Sequence, residues 1–113
     1  MLRRQALDAV GLLDERFFVY FEEVDLCLRF WRAGWRVLYI CEVTIVHVGG
    51  QSSKTDWDNS VQHRYRSLFS FYRKYHSGWQ LALLKLIVQC GAVLRVITGQ
   101  SAYKSIAKEV WRL

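Results

Sequence analysis

The sequence predicts an α/β chain, and three observations point to that class. A charged amphipathic helix pattern is followed by two β-rich runs within the first 50 residues, and the remainder has almost wholly helical periodicity. Apolar residues make up 52% and aromatics 15% of the 113, too much apolar surface for a disordered chain. The length holds one small domain with a modest core and excludes a second complete one.

The elements follow in order. Residues 3–10 predict a short helix closed by Gly11, whose tolerance of positive φ suits the position after a helix end. LLDERFFVYF brings a turn and an aromatic run. In EEVDLCLRFWRAG, Val24, Cys27, Leu28 and Trp31 recur at i, i+3, i+4 and i+7, with Glu22, Asp25, Arg29 and Arg32 opposite. This predicts an amphipathic helix stopped by Gly34, with acids in the first turn and arginines in the last, as the helix dipole favours. WRVLYI and VTIVHV carry almost no charge and predict strands or extended segments packed in a core. GGQSS is a loop. Beyond it, TDWDNS starts a helix in which Tyr65, Leu68, Tyr72 and Tyr75 keep helical spacing until Ser77 and Gly78. About twenty apolar residues follow, interrupted by Gln80, Lys85, Gln89 and Arg95 and close to the length of a membrane span. In the last segment Tyr103, Ile106, Ala107 and Val110 share one face, away from Lys104, Lys108 and Arg112, a pattern suited to an interface.

Charge divides the chain near Gly49 and Gly50. Residues 1–50 hold six Arg against seven acids, a net −1, and residues 51–113 hold ten Lys or Arg against three acids, a net +7. A basic, aromatic-rich segment suits nucleic acid or an anionic membrane, and charge alone does not choose. Cys27, Cys41 and Cys90 have neither disulfide-scaffold nor zinc spacing, which points to a reducing compartment. The amino terminus has no apolar run of signal-peptide length.

The best candidate site is FEEVDL. Three carboxylates within four positions repel one another, like charge raises the pKa of at least one, and a carboxylate so tuned serves as a general base. On pattern alone, acids in a first helical turn are more often dipole partners and caps. His47, between two valines, reads more often as a packed histidine than as a ligand, but the Gly49–Gly50 loop beside it lets a ligand approach backbone closely.

These residues also stand in a recognisable order. An arginine-bearing helix leads to Gly11 and then to D-E-R-F-F, Asp14 to Phe18. The acid pair Glu22–Glu23 opens a helix that ends in A-G-W, Ala33 to Trp35, and a strand pair closes on His47, Gly49 and Gly50. The set spans residues 3–53 and resembles the second half of the catalytic domain of family 2 glycosyltransferases, particularly rhamnosyltransferase-like members that build bacterial surface polysaccharides.

The resemblance implies a carboxyl-terminal, acceptor-side portion of a GT-A Rossmann-like domain over 1–53, followed by a helical, basic extension over 54–113. It implies an inverting enzyme using a dTDP- or UDP-sugar and a glycan or lipid-linked acceptor. Glu23 then takes the place of the general base, where Asp is more usual. Glu22, Asp25 and Asp14 support or orient the acceptor. Gly49 and Gly50 are candidate cofactor-binding residues, and His47 matches a histidine that in some relatives ligates a divalent metal, Mg or Mn, or lies beside the diphosphate; it supplements ligands held mainly by a nucleotide-binding half absent here. The one D-x-D string, Asp56-Trp57-Asp58, lies after the acceptor elements and reads as helix-starting charge rather than the family's metal motif. No glycine-rich phosphate loop is present. The chain is therefore expected to be inert alone.

Its location is expected to be cytoplasmic, peripheral on the inner face of the cell membrane. Residues 79–98 are expected on the membrane surface or against a partner rather than across the bilayer, because Lys85, Gln89 and Arg95 interrupt the run and basic residues flank both sides. A non-catalytic helical membrane-surface or protein-interaction module is the alternative. A nucleic-acid binder, suggested by Arg64, Arg66, Arg73 and Lys74, ranks last because no binding fold accompanies the patch.

Overall fold

The computed structural model describes residues 1–42, 44, 46 and 57–113. Its elements are α1 (Arg4–Val10), α2 (Glu22–Arg32), α3 (Trp57–Tyr75), α4 (Gly78–Ile97), a 3-10 turn (Ser101–Tyr103) and α5 (Lys104–Glu109). Among the described residues there is no β-strand, so the predicted α/β class, the acceptor-side portion of a GT-A Rossmann-like domain, is corrected to a mainly helical one. The reason is pairing. A strand exists only where a neighbour takes its backbone N–H and C=O groups, and residues 35–40 are non-helical without such a neighbour among the described residues. Beyond Trp35 they do not pack in a core: Val37, Leu38 and Ile40 are exposed, and Tyr39 is 95% exposed. The second predicted run, 43–48, is described only at Thr44 and Val46, and Gly49 and Gly50 lie outside the described residues.

Two small cores hold the helices. Ala6 of α1 packs with Leu26 and Phe30 of α2, edged by Leu7, Val10 and Trp35. The larger core joins Val61 and Phe69 of α3, Val88 and Ala92 of α4, Ala102 of the 3-10 turn, Ile106 of α5 and Val110, which follows it. Ile106 and Val110 are fully buried, so the face predicted from their spacing is real, but it meets α4 rather than an external interface.

Local chemistry sets the helix ends. Gly11 closes α1 at φ 82°, its N–H donating to the Leu7 carbonyl at 2.7 Å. After α2, the Gly34 N–H reaches the Trp31 carbonyl at 3.0 Å and the Trp35 N–H reaches that of Phe30 at 2.9 Å. With Gly34 at φ 82° this is a Schellman closure, and Trp35 packs beside the core that Phe30 helps form. Ser77 caps α4 in a capping box with Gln80, whose Oε1 accepts from the Ser77 N–H at 2.9 Å.

α2 corrects the predicted burial pattern. Its buried residues are Asp25, Leu26 and Phe30, whereas Val24, Cys27 and Trp31 are exposed. Apolar spacing favoured the opposite face. The sequence pattern contains no account of the cations that gather around Asp25 from elsewhere in the chain.

Candidate active site at the start of α2

Segment 18–21 lies along α3, one residue after another. Phe18 sits against His63 with ring centroids 5.1 Å apart, and Ser67 Oγ donates to the Val19 carbonyl at 2.8 Å. The Arg64 guanidinium lies 4.8 Å from the Tyr20 ring centroid, and Phe21 meets Phe71 at 5.6 Å. His63, Ser67 and Phe71 are four residues apart and so form one stripe of α3, with Arg64 beside it. These contacts hold a strained bend. Tyr20 and Phe21 both have positive φ, 67° and 71°, the left-handed region that costs a side-chain-bearing residue on the order of 1–3 kcal/mol. Such strain persists only where surroundings over-determine it, and four successive contacts to α3 do so here.

The bend opens directly into α2 and sorts the three acids. Glu23 is exposed. Glu22 is half-buried, and its Oε2 has no hydrogen-bond partner among the described residues. Asp25 is fully buried and enclosed by donors: Lys74 Nζ at 2.5 Å and Tyr75 Oη at 2.6 Å on Oδ1, and Arg29 Nε at 2.8 Å on Oδ2. Burial alone would raise the Asp25 pKa, but the bonds from Lys74, Tyr75 and Arg29 outweigh it and hold the carboxyl below its usual range.

The network extends outward from Asp25. Lys74 also donates to Asp14 at 2.7 Å, and Asp14 takes Arg16 at 2.6 Å. The Arg16 hydrogen bonds, helped by Lys74 and opposed by burial, bring Asp14 well below the usual carboxylate range. Desolvation works against the charged Lys74, yet its bonds to Asp14 and Asp25 raise its pKa. Arg29 ties in the end of α1, donating to the Val10 and Leu12 carbonyls at 2.6 Å each. Gly11 sits beneath that guanidinium.

Of the residues singled out from sequence, the structure thus gathers Asp14 and Asp25 on one lysine and leaves Glu23 facing solvent. His47, Gly49, Gly50 and Asp56 lie outside the described residues, as does the side chain of Asp58. Sequence reasoning missed Lys74, Tyr75, Ser67 and the left-handed pair Tyr20–Phe21. Only Arg29 had left a signal, as the i+4 partner of Asp25.

No family model matches the chain, and no solved structure matches it. N-acetylglucosaminyl-diphospho-decaprenol L-rhamnosyltransferases from two strains of Mycobacterium tuberculosis, CDC 1551 and H37Rv, are each 34% identical to it over 95 residues. The match covers 84% of this chain and 31% of either relative, so the chain spans under a third of the length of these curated relatives. The likeness supports a glycosyltransferase family for this chain.

Proposed function

We propose that the chain supplies the acceptor-side base of an inverting, rhamnosyltransferase-like glycosyltransferase that moves a sugar from a dTDP- or UDP-sugar to a glycan or lipid-linked acceptor. One observation carries the reading. Of the three acids at the start of α2, Glu23 alone is exposed, and it projects from a helix start fixed by a strained, α3-anchored bend. The name of the mycobacterial relatives specifies a diphospho-decaprenol-linked acceptor and L-rhamnose, which supports the lipid-linked form of the acceptor.

In the proposed step the Glu23 side chain takes the proton of an acceptor hydroxyl as that oxygen bonds to the anomeric carbon. The bond to the nucleoside diphosphate breaks on the opposite side, the diphosphate leaves with the electron pair, and configuration inverts. The Asp25 network keeps α2 in register under Glu23. Because Asp25 is fully buried, it acts through that placement and not by touching an acceptor.

A divalent metal, Mg or Mn, belongs to the proposal as the group that neutralises the leaving diphosphate. Among the described residues no three His, Cys, Asp or Glu side chains converge on one point, and Asp14 and Asp25 are already occupied by cations. Ligands are therefore assigned to His47 and to the donor-binding portion of the relatives that the match does not reach. The proposed setting is the cytoplasmic face of the cell membrane.

The test joins this chain to the donor-binding portion of a mycobacterial relative. Glu23→Gln should lower transfer about 100- to 10,000-fold while calorimetry shows donor affinity unchanged, and Glu23→Asp should keep activity. Transfer surviving in the Gln variant removes Glu23 as the base.

A further inference from the structure

α4 reverses the ordinary arrangement of an amphipathic helix. Trp79, Leu83, Leu86, Ile87, Leu94 and Ile97 are all exposed, the two ends at 68% and 76%. At 3.6 residues per turn they fall within roughly a third of the helix circumference, and no charged side chain lies in that stripe. Lys85, Gln89 and Arg95 lie off that stripe, Lys85 buried, Gln89 half-buried and Arg95 exposed. Lys85 is buried, its Nζ 3.4 Å from the Trp111 carbonyl and 5.5 Å from the Phe69 ring centroid. Gln89 Nε2 donates to the Ala107 carbonyl at 2.8 Å, and Arg95 folds back onto the Gly91 carbonyl at 3.2 Å and the Tyr103 ring. A helix facing water on its outer side does the opposite, and contiguous apolar patches of this kind mark contact surfaces.

We propose that this stripe of α4 is a lipid-binding face, lying in the plane of an anionic membrane leaflet at the boundary of head groups and acyl chains. Lipid fits for three reasons. The donors Lys85 Nζ, Gln89 Nε2 and Arg95 Nη1 have partners within the chain and lie off the stripe, so the stripe enters a medium without hydrogen-bond partners and orphans none of these donors. Residues 51–113 carry a net +7, which anionic head groups attract. Exposed Trp79 and Trp111 are the side-chain type enriched at membrane interfaces.

The packing also separates an in-plane helix from a span. By length α4 would suffice, with a mean hydropathy of 1.7 over its most apolar window. Its inner side, however, carries α5, held there by the Gln89 and Lys85 bonds and by burial of Ile106. A span would drag the exposed Lys104 and Lys108 of α5 into hydrocarbon, whereas lying flat admits only the stripe. The inference rests on α4, its packing and the charge and tryptophans around it, and is independent of the sugar-transfer reading.

The test is flotation of the whole chain with vesicles of phosphatidylcholine alone and of phosphatidylcholine mixed with phosphatidylglycerol. The chain should float with the mixed vesicles and be released by alkaline carbonate. Leu86→Glu with Leu94→Glu should cut binding at least about tenfold with the helical circular dichroism retained. A second measurement leaves the stripe intact: Cys90, also exposed on it, carries an environment-sensitive fluorophore in a Cys27→Ser, Cys41→Ser background. Its emission should shift to the blue on mixed vesicles, and the same dye on Cys27 alone should not shift. Absence of flotation, or an unshifted Cys90 dye, overturns the proposal. So does carbonate-resistant retention, which would show a span. A stripe-dependent dimer in ultracentrifugation without vesicle binding would instead assign the face to a second copy and overturn it equally.

Discussion

Two regions of this chain hold short helices together in opposite ways. Around α2 the centre is a charge: Asp25, fully buried among Lys74, Arg29 and Tyr75, joins α2 to α3, and Arg29 carries the connection on to the end of α1. Around α4 and α5 the centre is apolar, built on Phe69, Ile106 and Val110. An apolar core weakens in proportion to the volume taken from it. An ion cluster fails more abruptly, because removing one partner strands the others with little solvent to replace it. The same carboxylate that organises the candidate site is therefore its most sensitive point.

The largest expected effect tests that contrast directly. Asp25→Ala should destabilise the chain by about 3–5 kcal/mol, toward the lower figure because Lys74 and Arg29 keep some solvent contact. Ile106→Val, at an equally buried position of the other core, should cost about 0.5–1.5 kcal/mol. Urea unfolding of the two variants beside the parent measures both. Equal costs would mean that the network is not what joins α2 to α3.

Acid provides the next, smaller effect. Asp14 and Asp25 have pKa values below their ordinary ones, so their contribution is fully present above the unfolded-state carboxylate pKa of about 3.9 and is lost as pH falls through the depressed folded values. Lys74 and Tyr75 are raised, Tyr75 by burial and by its bond to Asp25. Their contribution is present below about pH 10 and is lost as pH rises through the raised values. Melting temperature against pH should show a plateau with both shoulders, and Asp25→Asn should flatten the acid shoulder while Ile106→Val leaves it. An unchanged acid shoulder in Asp25→Asn would place the acid sensitivity elsewhere.

How far the sequence was legible follows the same division. What depends on near neighbours could be read: the Gly11 and Gly34 stops, the shared face of Tyr103, Ile106 and Val110, and the span-length run of α4. What depends on distant partners could not. Apolar spacing placed Val24, Cys27 and Trp31 inward because nothing local shows that Lys74 and Tyr75, some fifty residues on, converge on Asp25. The β-rich composition of 35–40 describes side chains suited to a sheet, but a strand also needs a neighbour, and composition does not supply one. Around FEEVDL the pattern drew attention to the right helix start, without showing that the three acids would be sorted by burial.

The smallest effect concerns the link between the two regions, where α3 serves both: its Val61 and Phe69 enter the apolar core, and its Ser67 bonds the bend that leads to Glu23. Ser67 is buried, and its hydroxyl donates to the Val19 carbonyl. Ser67→Ala removes one hydrogen bond without introducing bulk, so global stability should fall by only about 1 kcal/mol. Locally the consequence is larger in kind. Tyr20 and Phe21 stay in the left-handed region only while α3 holds them, and with one of the four anchors gone the bend should open more often. Amide hydrogen exchange separates the two scales. Protection should drop at residues 19–23 in Ser67→Ala while the amides of α4 and α5 follow the small global change. Uniform loss across the chain would show that Ser67 supports only the core, and that the bend is fixed by Arg64 and Phe71 without it.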